Sequence, residues 1–130
     1  MALPPRRKPA RAGIERSKPL RSPAHLKWVR SHACSVAGCQ GEPIEAAHVR
    51  TGTDGGTGMK PSDCWVISLC RDHHAEQHAV GEKAFEAQHR LNMRMLALEF
   101  AAKSPPWQAL LKRQRAASST TPRRPAVKED

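Results

Sequence analysis

The chain has 130 residues, 38% of them hydrophobic, with no tyrosine and two phenylalanines. One small domain with a thin core is expected, of the kind that a metal or disulfide staple supports. Its formal net charge is +10; the N-terminus lacks the apolar run of about 7–15 residues of a secretory signal, and nothing approaches the roughly 20 apolar residues of a membrane span, so a cytoplasmic protein without a membrane partner is expected.

The charge is unevenly placed. Residues 1–30 hold nine Lys/Arg against Glu15, and residues 104–130 hold six against Glu129 and Asp130, while residues 31–103 hold seven basic and nine acidic residues. Basic arms flanking a near-neutral centre are the footprint of contact with a polyanion, because each neutralised phosphate releases counterions. Nucleic acid is the expected partner.

In chain order, "MALPPRRKPARAGIERSKPLRSP" sets prolines 4, 5, 9, 19 and 23 among basic residues. Such a composition builds no core, and residues 1–22 are read as a disordered or loosely docked basic arm. "AHLKWVRSHAC" suits a short helix with Leu26, Trp28 and Val29 packing inward. "CSVAGCQGEPIEAAHVR" reads as a tight knuckle and then a strand at about residues 44–49. The glycine-rich "TGTDGGTGMKPSD" is a loop, "CWVISLC" a second strand, and "RDHHAEQHAV" a helix with Asp72 near its positive N-terminal end. After Gly81, "EKAFEAQHRLNMRMLALEFAAK" is expected as one helix. Its stripe of Ala84, Ala87, Leu91, Met95, Leu98 and Ala102 should face the core. Pro105 and Pro106 should end that helix. "WQALLKRQR" adds a short turn, and a basic Ser/Thr/Pro-rich tail fills residues 104–130. The structured domain is thus expected over residues 23–103.

"CRDHHAEQH", residues 70–78, holds one cysteine and three of the seven histidines. Two short-range pairs, Cys34 with Cys39 and Cys70 with His73, have the spacing of zinc knuckles. In a reducing compartment such cysteines favour metal over disulfide, and one zinc closing the interval of about 30 residues between the pairs would pin both strands. A Cys34, Cys39, Cys64, Cys70 set is the competing choice. Six positions along a strand, however, separate Cys64 from Cys70 by about 20 Å, so Cys64 is read as a packed residue. His74 and His78 project from one helix face about 6 Å apart. They are either an exposed pair or the ligands of a second metal. His48, ending the first strand with Arg50 behind it, can be folded over them. There a neutral imidazole can take a proton from water while a cation stabilises charge on a phosphate.

"EAAHVR", the glycine loop, "SLC" and "CRDHHAEQH" resemble the HNH nucleases of the ββα-metal fold. The longer "AAHVRTGTDGGTGMKPSDCWVISLCRDHHAEQH", with "RSPAHLKWVRSHAC" upstream, is similar to a phage- and prophage-associated HNH group related to the recombination enhancement function nucleases. The resemblance covers about residues 21–103. It implies an α+β class: a small zinc-stapled ββα-metal core, a flanking C-terminal helix and disordered basic arms. It also implies hydrolysis of DNA phosphodiester bonds, by nicking or cleavage, with His48 as general base. His74 and His78 would hold a catalytic divalent metal, Mg2+ or Mn2+ or else Zn2+, and Cys34, Cys39, Cys70 and His73 the structural Zn2+. Apart from the resemblance, Arg50 and Lys60 are read as rim contacts to flanking phosphates, against the plainer reading of solvated side chains. The setting implied is the cytoplasm of a bacterial host, with a phage or prophage origin and a recombination or phage DNA-processing protein as partner.

Two positions depart from the family. Ala47 stands where many members carry a further ligand before the base, and Trp65 falls near the place of the middle Asn, leaving Asp63 or Ser62 to position the loop or base. The alternative reading is a noncatalytic zinc-stapled DNA-binding module of phage origin, with His48, His74 and His78 vestigial or structural. RNA binding through the arms alone is disfavoured, since stacking platforms are scarce.

Overall fold

A computed structural model describes residues 3–5, 18–55 and 60–119. The disorder expected of the arms over residues 1–2, 6–17 and 120–130 lies outside the described residues, as do the glycine-loop residues 56–59. The described chain is a small α+β structure, a two-stranded sheet with five helices around it. None of these helices is long and apolar enough to cross a membrane.

The sheet is an antiparallel hairpin. β1 (Ile44–His48) pairs with β2 (Val66–Cys70) so that Ile44 lies opposite Cys70 and His48 opposite Val66. Every β2 residue is buried, as its Val-Ile-Ser-Leu-Cys run suits a strand covered on both faces. The loop between the strands is fastened at its described ends by Asp54, whose carboxylate accepts the Ser62 N–H at 2.8 Å. α2 (Arg71–Val80) follows β2 directly, with Cys70 as its N-cap and the thiol accepting the His73 N–H. Both strands and this helix therefore fall where the sequence puts them, within a residue or two. Gly81, at φ 89°, closes α2 by donating its N–H to the Gln77 carbonyl; an L side chain is strained in that left-handed region.

α1 (Pro23–Arg30) begins on Ser22, whose hydroxyl accepts the His25 N–H at 3.1 Å. Proline at the first helical position costs no hydrogen bond there. Val29 is fully buried, as expected, while Leu26 and Trp28 are partly buried. Ahead of the helix, Leu20 donates its N–H to Ser62 Oγ at 2.9 Å and accepts the Asp63 N–H, also at 2.9 Å. The chain is thus docked already at Leu20, ahead of the helix.

The single long helix expected after Gly81 is two. α3 (Glu82–His89) ends at Arg90, which takes the left-handed conformation at φ 55°, and α4 (Met93–Lys103) restarts on Asn92, whose side chain caps Met95 N–H. The Glu86 carboxylate bonds the Met93 N–H at 2.6 Å across the break. The break resets the helical phase, which overturns the expected inward stripe. Met95 is 58% and Leu98 39% exposed, and Ala84, Ala87 and Ala102 are exposed too, with Leu91 half-buried. The core takes Phe85, Met93 and Ala97, packed with Ala47, Val49, Ile67 and Leu69.

Pro105 and Pro106 end α4 as expected, but they also open α5 (Pro105–Ser119), where a short turn and then tail had been expected. Ser104 serves both helices: it is the C-cap of α4 and accepts the Trp107 N–H at 3.1 Å. Trp107 then packs on α1 against His25, ring centroids 5.4 Å apart. His25 is wholly buried, its Nδ1 is 2.7 Å from Ser104 Oγ, and its Nε2 has no partner among the described residues. Burial, opposed by the Asp63 carboxylate, holds the His25 imidazole down to about 4.

Candidate metal centre and histidine cleft

Cys34, Cys39, Cys70 and His73 each offer one ligand atom, and all four atoms lie within 4.8 Å of one another. The knuckle between α1 and β1 supplies the first pair, and the β2–α2 junction supplies the second. Cys39 Sγ and Cys70 Sγ are 3.8 Å apart, and His73 Nδ1 lies 3.5, 3.4 and 3.2 Å from the sulfurs of Cys34, Cys39 and Cys70. Bonds of about 2.3 Å to sulfur and 2.0–2.1 Å to nitrogen give a tetrahedron with edges of about 3.8 and 3.5 Å. The four donors thus fit a metal such as zinc.

The backbone around them is adapted to this approach. A Cβ on Gly41 would come to 2.9 Å from Cys70 Sγ. The Gly41 N–H donates to Cys39 Sγ at 3.3 Å and draws that thiol below its ordinary pKa, while burial pushes the Cys34 thiol up. Ser68, buried in β2, holds the knuckle down: its hydroxyl donates to the Ala33 carbonyl at 2.7 Å, and its own carbonyl accepts the Ser35 N–H at 2.8 Å. Cys64 stays out of the cluster, with burial raising its thiol to about 11.

On its other side α2 walls an open cleft of about 770 Å³, lined by Glu45 and His48 of β1, His74 and His78 of α2, and the cations Arg30, Arg50, Lys60 and Lys83. All the cleft residues read from the sequence meet here. His48 Nε2 lies 3.1 Å from Asp63 Oδ1. Of the two residues considered as its support, Asp63 makes the contact, while Ser62 gives its hydroxyl hydrogen to Asp54 instead. Asp63 is itself fixed by the Ser22 N–H at 2.7 Å and the Arg21 guanidinium at 3.2 Å. Burial lowers the His48 pKa, partly offset by the Asp63 carboxylate. A neutral His48 must then carry its proton on Nε2 to serve the carboxylate, which leaves Nδ1 as the open lone pair.

His74 and His78 stand one helical turn apart, their Nε2 atoms separated by 3.2 Å, and Glu45 Oε1 lies 2.7 Å from His74 Nδ1. Ala47 is in the core and offers no ligand atom, so the acid that reaches this pair comes from position 45. The turn after β1 is tied to α3 by Glu82, which accepts the N–H groups of Arg50 and Thr51 at 2.6 and 2.9 Å. Lys60 is exposed, with its carbonyl held by Arg21 at 2.9 Å. Trp65 is turned away from base positioning, partly buried against the core with Arg94 over its ring at 5.3 Å.

Residues 10–104, which include both ligand pairs and the three cleft histidines, match the family model DUF968, described as "Protein of unknown function (DUF968)". The chain belongs to the DUF968 family. It is similar to "Uncharacterized protein YdfU" of Escherichia coli (strain K12), 38% identical over 55 residues that cover 42% of this chain and 15% of the relative. This DUF968 chain thus matches only a small part of that relative's length. No solved structure matches it.

Sequence reasoning on this DUF968 member missed Glu45, Glu82, Ser68 and His25. Glu45 lay inside the quoted "EAAHVR", three residues before His48. Its separation from His74 by 29 positions left no local periodicity to connect the two.

Proposed function

We propose that the chain is a metal-dependent HNH-type endonuclease that hydrolyses DNA phosphodiester bonds, with a ββα-metal core built from β1, β2 and α2. One observation carries the reading: His48, braced by a buried carboxylate, lines the same cleft as the His74–His78 pair. In this reading His48 Nδ1 takes a proton from the attacking water, the water oxygen bonds to phosphorus, and the P–O3′ bond breaks. The leaving oxygen is protonated from solvent. Asp63 stabilises the imidazolium that results, as carboxylates do for histidine bases. A divalent cation on His74 and His78 supplies neutralisation of charge at the phosphate. Arg50 and Lys60 steady phosphates on either side of the scissile one, and the basic arms add affinity that is independent of sequence. Zinc on the Cys/His cluster holds the hairpin and α2 together.

The setting proposed is DNA in the cytoplasm of a bacterial host, with a phage or prophage origin and a recombination or phage DNA-processing partner. The test is nicking of supercoiled plasmid by purified protein that retains its knuckle zinc, with Mg2+, Mn2+ or no added ion. Nicking that depends on the added ion is expected. Tight DNA binding without cleavage under every ion would replace the enzyme by a noncatalytic binding module.

A further inference from the structure

The cleft carries a feature that the base and its metal pair do not by themselves explain. Glu45 Oε1 meets His74 at Nδ1, 2.7 Å away, and His74 turns its other nitrogen to His78, with Nε2 to Nε2 at 3.2 Å. An ionised carboxylate only accepts hydrogen bonds, and a neutral imidazole has a single N–H. Glu45 therefore draws that hydrogen to Nδ1 and leaves Nε2 as a bare lone pair. α2 brings the Nε2 of His78 alongside it, since residues four apart are neighbours on a helix. Two metal–nitrogen bonds of about 2.0–2.1 Å, meeting at an angle between octahedral and tetrahedral, span about 2.9–3.4 Å. The observed 3.2 Å lies inside that span.

We infer that Glu45 is a positioning residue: it sets His74 in the Nδ1–H tautomer and so makes the two Nε2 atoms of His74 and His78 a bidentate seat for a divalent transition-metal ion. The inference deepens the metal-holding part of the proposed function and rests on that reading. Glu45 is not itself a ligand here, because the oxygen that touches His74 sits at the ring nitrogen that does not face His78. β1 thereby carries the base, His48, and the carboxylate that aims the metal pair, three residues apart on one strand.

The experiment uses the full chain with its knuckle zinc in place, and two readouts. Long-range 1H–15N NMR reads the His74 tautomer before any ion is added, and calorimetric titration with Ni2+ reads the seat. In the parent, His74 is expected protonated on Nδ1 and one Ni2+ binds. Glu45→Ala should shift His74 toward the Nε2–H form and weaken Ni2+ binding about 10–100-fold, the usual cost of removing such a partner. Glu45→Gln, whose amide oxygen still accepts from Nδ1–H, should keep the tautomer and most of the affinity.

Unchanged tautomer and affinity in Glu45→Ala would overturn the inference, as would a parent that binds no Ni2+. Equal loss of affinity in Glu45→Gln and Glu45→Ala would overturn it too, by making Glu45 a direct ligand. The outcome does not depend on DNA cleavage. A protein that passes both readouts but never nicks DNA refutes the nuclease reading alone, and one that nicks DNA with Glu45→Ala at parental tautomer and affinity refutes the inference alone.

Discussion

His48 and Asp63, fifteen positions apart, are joined at 3.1 Å between Nε2 and Oδ1, and the second oxygen of Asp63 accepts the Ser22 N–H at 2.7 Å. One buried carboxylate thus orients the imidazole and anchors the segment entering α1. In Asp63→Asn an amide N–H replaces one acceptor, so either Ser22 loses its partner or Arg21 does, and in the second case His48 keeps its hydrogen bond only by moving its own proton from Nε2 to Nδ1. The expected cost is about 1–3 kcal/mol, typical of a buried group left unsatisfied, read by urea denaturation. The variant also removes the charge that favours the imidazolium. The His48 pKa, already lowered by burial, should fall further, carrying the acid limb of the cleavage profile to lower pH. An unmoved His48 titration by NMR would contradict the pairing.

His48→Ala separates base from ligand. It should cut DNA cleavage by about 10²–10⁴ while the knuckle zinc and the cleft ion both remain bound. His74→Ala should instead lose the cleft ion along with cleavage. Metal stoichiometry in the two proteins distinguishes them, and cleavage by His48→Ala at the parental rate refutes the mechanism.

The Cys34, Cys39, Cys70 and His73 cluster is tested as a zinc site at two levels. Cys39→Ser removes a ligand and should release zinc and unfold the hairpin region, followed by circular dichroism and elemental analysis. Gly41→Ala leaves all four ligands but sets a Cβ 2.9 Å from Cys70 Sγ, so the protein should yield its zinc to a competing chelator more readily. Native, folded protein lacking zinc would remove the staple from the account.

Residues 1–17 carry Arg6, Arg7, Lys8, Arg11 and Arg16. Deleting them spares the docked segment from Leu20 onward and should flatten the dependence of DNA affinity on salt, because fewer counterions are released. Zinc content should not change. A truncated protein with the full salt slope would show that the arm does not touch the nucleic acid.

His25 sets a pH limit on stability. Its ordinary pKa is near 6.5 and the folded protein holds it at about 4. The unfolded chain therefore takes up the proton first as pH falls, so the stability His25 allows is intact above about pH 6.5 and is lost progressively toward pH 4. Between about pH 7.5 and about pH 5 the parent should lose about 2 kcal/mol more than His25→Gln. Parallel pH dependences in the two proteins would refute this.

Local chemistry was legible and long-range chemistry was not. Cys34 and Cys39, or Cys70 and His73, stand close enough in sequence to announce a shared site, and β2 followed by α2 is bounded by plain changes of residue type. The helix after Gly81 misled because Leu91, Met95 and Leu98 keep a helical period across a break that depends on Arg90 adopting φ 55° and Asn92 capping a new turn. Nothing in a periodicity count penalises that break. Pro105 and Pro106 were read as a stop, yet the same lack of N–H that ends one helix suits the first turn of the next. Glu45 and Glu82 act across 29 and 32 positions, distances at which only the folded hairpin makes the partners neighbours.

His73 and His74 are consecutive on α2, yet one faces the cysteine sulfurs and the other the cleft. One helix thus joins the two proposed metal sites. If both sites of the proposed function fill, ordering α2 at the cysteines would lower the entropy cost of closing the histidine pair, and by thermodynamic reciprocity an ion on that pair would raise the affinity at the cysteines by the same factor. Under the nuclease proposal, loss of cleavage in a strong chelator would then belong to the linked couple, and stepwise re-addition of ions would assign it to either site.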